Sequence, residues 1–149
     1  MSKNIDVTAL GELLIDFTEN GFSGQGNPLL EANPGGAPCN VLAMLQKLGK
    51  KTAFIGKVGD DMFVQQLTDA VTSVGIDTRA LMVDKEVHTT LAFVHTYPGG
   101  DRDFSFYRNP GADMMLTKDE VDTDLIRSSR IFHFGTLSST HEQVREATR

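Results

Sequence analysis

Apolar positions along this chain change period several times, and the changes mark out its elements. Ile5 to Leu10 is a short, β-capable apolar run that Gly11 ends. Leu13 to Thr18 alternates, with Leu13, Ile15 and Phe17 on one side of a second strand. Asn20 to Pro28 holds three glycines and a proline and reads as a loop, and Pro34-Gly35-Gly36 reads as a turn. From Val41 the period lengthens. Val41, Met44, Leu45 and Leu48 fall at i, i+3, i+4 and i+7, which predicts one helical stripe closed by Gly49. Thr52 to Val58 returns to strand character. Gly59-Asp60-Asp61 then offers a cap to a second helix with the stripe Val64, Leu67, Val71 and Val74 before Gly75.

Beyond residue 80 the texture becomes strand-rich. Leu81 to Val83, Thr90 to Tyr97 and Asp103 to Tyr107 read as strands, the last two joined by Pro98-Gly99-Gly100. Ile131 to Phe134 is a further apolar run, and a polar helix from about Ser139 reaches Arg149 with no cap, glycine or proline, the pattern expected of a truncated chain. No repeat of fixed period is present. Strand, helix, strand and helix, then a β-rich insertion, then strand and helix again, predict a layered α/β core with a small β extension.

Composition narrows the partners. The chain has 149 residues, one ordinary domain, with 40% hydrophobic and 23% charged residues. A net charge of −6 lacks the surplus of cations that a phosphate-backbone binder needs, so no nucleic-acid partner is expected. The apolar runs are far shorter than the roughly 20 residues that span a bilayer, so no membrane association is expected. Met1-Ser2-Lys3-Asn4 has no apolar stretch behind its charge. The expected location is therefore cytoplasmic. The single cysteine, Cys39, excludes an internal disulfide and a multi-thiolate metal site and reads as a buried, inert thiol. His88, His95, His133 and His141 show no i, i+4 pairing, so no metal site is expected. Neither a phosphate-binding P-loop nor a Gly-x-Ser-x-Gly elbow occurs.

Three places carry candidate chemistry. Gly35-Gly36-Ala37-Pro38-Cys39-Asn40 runs into the first helix, where free backbone N–H groups and the Asn40 amide can bind a polyol or an anion. A plain glycine turn before a helix is the alternative. Asp16, between Ile15 and Phe17, either faces solvent by alternation or accepts hydrogen bonds from two sugar hydroxyls. Arg108 follows Phe104, Phe106 and Tyr107, and is either a clamp for a polar ligand or a cation lying over an aromatic face.

At these residues the sequence resembles the ribokinase-like carbohydrate kinases, and within them the bacterial fructokinases. Four segments match in the family's order: Gly11-Glu12-Leu13-Leu14-Ile15-Asp16-Phe17, Pro34-Gly35-Gly36-Ala37-Pro38-Cys39-Asn40-Val41, Ile55-Gly56-Lys57-Val58-Gly59-Asp60-Asp61, and Phe106-Tyr107-Arg108-Asn109-Pro110-Gly111-Ala112-Asp113. Leu42 and Val64 are bulkier than the family's usual residues at those positions. The resemblance implies a ribokinase-like α/β core with a small β-sheet lid, incomplete here, with residues 1–149 as the N-terminal, sugar-binding half and lid strands within about 13–18 and 80–108. It implies transfer of the γ-phosphoryl group of ATP, with Mg²⁺, to a sugar hydroxyl, most simply the 6-hydroxyl of fructose. Asp16, Gly35, Gly36 and Asn40 would hold the sugar, and Phe93, Phe106 and Arg108 would close over it. ATP, Mg²⁺ and the catalytic base would belong to an absent C-terminal half, leaving this chain inactive alone. The lid strands would form a homodimer contact. A short sugar-binding or dimerising module without kinase activity is the other reading of the same residues.

Overall fold

The computed structural model describes residues 3–149, so Met1 and Ser2 of the N-terminal stretch read above lie outside it. Among the described residues the strands form two four-stranded sheets. The first is wholly parallel: β1 (Ile5–Leu10) lies between β4 (Thr52–Gly59) and β8 (Ser129–Phe134), and β5 (Asp77–Asp84) flanks β4. Helices cover both faces of such a sheet, so its inner strands read as continuous apolar runs rather than alternating ones. β4 is buried at every position. Val7, Ala9, Phe54 and Val58 face α1 (Ala37–Lys47) and α2 (Val64–Ser73). Leu10, Ile55 and Ala80 pack on the other side with α3 (Thr123–Arg127), α4 (Glu142–Thr148) and Leu116.

Lys57 is the exception within β4. Its side chain is 8% exposed, and its ammonium lies 2.7 Å from the Glu120 carboxylate and 3.7 Å from that of Asp84. It also donates to the Met115 carbonyl at 3.2 Å. One buried cation thereby fastens the irregular segment 112–120 to the sheet.

The second sheet has the order β3 (Pro28–Gly35), β2 (Leu14–Phe22), β6 (Leu91–Thr96), β7 (Arg102–Tyr107). β2 and β6 run parallel, and both outer strands are antiparallel to their neighbours. Two expectations change here. The apolar stretch at 81–83 belongs to β5 of the first sheet, so within 80–108 the second sheet starts only at Leu91. Its missing strand is β3, which occupies part of the expected loop and continues through the expected turn at Pro34-Gly35.

The face of α1 differs from the expected stripe as well. Pro38, Cys39 and Leu42 are buried, whereas Val41, Met44 and Leu48 are 42%, 57% and 66% exposed. The cause is the helix start. α1 begins at Ala37, directly after β3, and Pro38 lies so close to Gly11 that a side chain there would strike its ring. That contact sets the rotation of the first turn, and the later apolar residues follow it outward. Leu42 is fully buried in the core, so its bulk fills space rather than blocking a ligand. In α2, Leu67 and Val71 are buried as the stripe predicts. None of the helices among the described residues is long and apolar enough to cross a membrane.

Candidate functional site

The carboxyl ends of β1, β4 and β8 and the near end of the second sheet converge, and ligands of open α/β sheets bind in this kind of crevice. Gly11 to Leu13 carries the chain from β1 into β2 across it. Asp16, one turn of the pleat further on, pairs with Asn33 of β3 and Ala92 of β6, and Ala92 pairs with Phe106 of β7. Directly paired residues share a face, so Asp16, Asn33, Ala92 and Phe106 look the same way. The Asp16 carboxylate presses on the Gly35 Cα, where a side chain would collide with it. Among the described residues no donor reaches that carboxylate. It is half-buried, and burial raises its pKa above the usual aspartate value. A carboxylate partly removed from water and left without a partner is a ready acceptor for ligand hydroxyls.

Gly36 follows with φ +127, which L-residues rarely adopt, and its Cα faces the Glu12 carbonyl so closely that a Cβ would overlap it. The Gly36 carbonyl accepts the Asn40 N–H at 3.0 Å and opens the helix. Asn40 is exposed on the first turn, with Leu13, Pro34, Gly35 and Cys39 around a cavity of about 120 Å³ between α1 and α2. Gly35 thus touches the Asp16 carboxylate and lines the cavity that Asn40 also lines. Cys39 is buried among apolar side chains and near Glu12, which pushes its thiol pKa well up, so it is no nucleophile.

The aromatic pair expected over the sugar is divided by the pleat. Phe93 pairs with Phe17, stacks on it at 5.0 Å and meets Tyr107 edge-on at 5.1 Å, all on the face opposite Asp16. Only Phe106, with Phe104 beside it at 6.0 Å, shares the Asp16 face, and it is 51% exposed. Phe93, expected beside Phe106, thus lies on the sheet face opposite Asp16. Arg108 just beyond β7 is occupied: its Nε and one terminal nitrogen donate to Asp113 at 2.9 and 2.7 Å, and the other donates to the Thr140 hydroxyl at 3.0 Å. A cavity of about 340 Å³ lined by His88, Leu91, Phe106, Tyr107, Arg108 and Pro110 opens beside it.

Glu12 is the residue that the sequence reading passed over. It is 5% exposed, and its Oε1 accepts the Ala37 N–H at 3.0 Å, at the start of α1. Its Oε2 is buried without a hydrogen-bond partner. Burial raises its pKa, the nearby Asp113 adds to the rise, and the two backbone N–H groups and Arg108 oppose it. The available signal was an acidic residue inside the apolar run Leu10 to Ile15. The folded protein thus binds a proton here more tightly than the unfolded chain, so stability falls as pH rises through the interval above about 4.3, the ordinary glutamate value. Glu12→Gln keeps the acceptor for Ala37 and removes the ionisation. The variant is expected to melt at or above the parent's temperature at pH 7, with the difference vanishing near pH 4, as read by calorimetry. A variant that melts lower at every pH would contradict this account.

Three parallel-strand ends, a glycine turn feeding a helix, and a partnerless carboxylate on a small sheet thus meet in one crevice. Residues 4–148 match the pfkB family carbohydrate kinase profile, and the chain belongs to that family. It is 45% identical over 143 residues to a fructokinase of Solanum tuberosum, covering 95% of this chain and 45% of that one. A probable fructokinase-2 of Arabidopsis thaliana is 44% identical over 144 residues, with coverages of 95% and 44%. The structure superposes on the fructokinase of Xylella fastidiosa with a TM-score of 0.88 at 32% identity, over 96% of this chain and 44% of that chain. An uncharacterized sugar kinase of Pyrococcus horikoshii in complex with ATP gives 0.86 at 30% identity, with coverages of 95% and 47%. The chain spans about half the length of the relatives it matches.

Proposed function

We propose that this chain is the sugar-binding part of an ATP-dependent fructokinase that phosphorylates the 6-hydroxyl of fructose. The observation that carries the reading is the Asp16 carboxylate, half-buried, without a protein donor, and seated against Gly35 at the entry to α1. Its two oxygens accept neighbouring hydroxyls, the Gly35-Gly36 backbone lets the ring approach without a side chain between, and the Asn40 amide supplies a donor and an acceptor. The similarity to fructokinases supports fructose as the acceptor.

In this proposal the second sheet is the lid. Phe106 covers the Asp16 side, Arg108 borders the same crevice, and Phe93 backs the lid from its other face. Closing such a site excludes water, which would otherwise take the phosphoryl group. Phosphoryl transfer is mostly positioning and charge stabilisation, so one part of the protein can orient the sugar while another binds the nucleotide. ATP supplies the phosphoryl group and Mg²⁺ neutralises its charge. The relatives run to about twice this length, and we assign ATP, Mg²⁺ and the base to the part that this chain does not cover, deriving no step through them; the chain alone is expected to be inactive. The exposed strand edges and aromatic face of the lid suit a homodimer contact, and the cytoplasm suits the reaction.

The test is Asp16→Ala in the protein at its native length, with fructose titrated at saturating ATP. The fructose KM is expected to rise roughly ten- to a hundredfold, the value of one hydrogen bond to a charged group, with the ATP KM unchanged. An unchanged fructose KM would remove Asp16 from the site. Fructose binding with no ATP-dependent phosphorylation at native length would favour a binding module instead.

A further inference from the structure

The chain enters the lid for the second time at β6 and leaves it at β7, and both of these crossings meet at one carboxylate. Asp113 lies in the short helical turn Ala112–Met115, with its side chain 3% exposed. Its Oδ2 accepts both Arg108 bonds, and its Oδ1 accepts the Thr90 hydroxyl. Thr90 immediately precedes β6, and Arg108 immediately follows β7. Gly111 sits against the Thr90 hydroxyl so closely that a side chain there would collide with it. From the same pair Arg108 reaches back to the core, to the Thr140 hydroxyl at 3.0 Å and the Leu137 carbonyl at 3.4 Å, both just beyond β8.

Two further bonds relate this cluster to the sugar site. The Thr90 carbonyl accepts the N–H of Ile15 at 3.2 Å, so the residue before Asp16 hangs from the same segment. Thr89 is fixed separately: its N–H donates to Asp61 at 2.7 Å, and its hydroxyl accepts the Gly59 N–H at 3.0 Å. Thr89 is therefore a pivot on the core, and the next residue is the point at which the lid can be held or released.

We propose that Asp113 is a positioning residue, the buried end of a latch through Arg108 and Thr90 that sets the angle of the lid over Asp16. Opening the lid at β7 requires Arg108 to leave Asp113, Thr140 or both. A nearly dry ion pair does not part without a new partner, because each charge would be stranded. The latch consequently holds one lid angle, and Asp16 and Phe106 keep their spacing across β6. The charge of Asp113 is what the arrangement needs, since the Thr90 bond alone survives in a neutral amide. As a statement about the lid's mechanics this stands apart from the kinase reading; as a statement about sugar binding it rests on that reading.

Hydrogen exchange on the protein at its native length and on its Asp113→Asn variant tests it without any ligand. Amides of β6 and β7 are expected to exchange roughly ten- to a hundredfold faster in the variant, while those of β1 and β4 keep their rates. Equal acceleration in β1 and β4 would make the pair an ordinary stabilising contact, and unchanged rates in β6 and β7 would abolish the latch; either overturns the proposal. Thr140→Ala, an exposed position, covers the case in which Asp113→Asn does not fold: it removes the shorter of the two bonds from Arg108 to the segment beyond β8 and leaves Asp113 untouched, and β7 alone is expected to exchange faster. At native length Asp113→Asn is further expected to raise the sugar KM with the ATP KM unchanged. A freed lid with an unmoved sugar KM would refute the positioning role. If no sugar phosphorylation exists to measure, exchange still decides the latch, and the kinase reading fails by itself.

Discussion

Gly36→Ala is expected to destabilise the fold by at least about 2–3 kcal/mol, the range of a residue forced into a glycine-only backbone region. Two independent costs fall on this position. At φ +127 any L-side chain is strained, and the added Cβ would overlap the Glu12 carbonyl, a backbone atom that cannot rotate away. Relief requires moving either the crossing from β1 to β2 or the start of α1, and both are tied. Glu12 holds the Ala37 N–H through its side chain, while Gly36 itself accepts the Asn40 N–H. Urea unfolding monitored by circular dichroism gives the measurement: a lower midpoint at unchanged slope, since the substitution alters stability and not the surface exposed. An unaltered midpoint would mean that this turn adapts. In that event the case for a rigid backbone cradle beside Asp16 would weaken with it.

Removal of the Lys57 ammonium is the second large effect. Lys57→Ala is expected to cost about 3 kcal/mol, the lower end for breaking a buried ion pair, because its partners keep some contact with water. Their side chains are 15% exposed at Asp84 and 26% at Glu120. For a chain of this size that is roughly a 6–12 °C fall in Tm. Burial tends to raise both carboxyl pKa values, but hydrogen bonds win and both end below the usual carboxylate value. For Glu120 the donors are Lys57 and the Thr117 N–H; for Asp84 they are the Val87 and Glu86 N–H groups, with Lys57 adding its charge. Groups with depressed folded pKa values stabilise above their unfolded values and lose that contribution as pH falls through the folded ones. The difference in Tm between parent and variant is therefore expected to be full at pH 7 and to narrow toward pH 3. A constant gap would assign the loss to the packing of the lysine stem rather than to its charge.

β1, β4 and β8 of the parallel sheet were legible because they are short apolar runs, whereas β5, read only at Leu81–Val83, was grouped with the later strands. β3 was not legible. Its sequence, Pro-Leu-Leu-Glu-Ala-Asn-Pro-Gly, carries two prolines and lies at a sheet edge, where the residues need fit only one neighbour and strand propensity says little. The rotation of α1 was hidden for a different reason. Val41, Met44 and Leu48 form a better stripe than Pro38, Cys39 and Leu42, and only the tertiary contact of Pro38 with Gly11 chooses between them. In the site, Asp16 and the glycine turn are local motifs, and the chain announces them. The separation of Phe93 from Phe106 follows from strand register, which no single segment contains. The employment of Arg108 by Asp113 needed only five residues of spacing, yet the motif gives no direction to the side chain. Glu12 shows the same limit: a carboxylate in an apolar run marks something unusual, but which amide it meets is decided 25 residues later.

The placement of β1 in the middle of its sheet has a consequence for how the protein is made. β1 takes β4 on one side and β8 on the other, and the Thr8 hydroxyl contacts that of Ser129, 121 positions away. β1 cannot gain its second neighbour until β8 has been synthesised, roughly 6–24 s later at about 5–20 residues per second. During that interval one apolar edge stays open, and parallel pairing over such separations is intrinsically slow to form. The nascent chain thus depends on the β1–β4 pair, with α1 between them in sequence, as an early kernel that keeps the edge in place until β8 arrives.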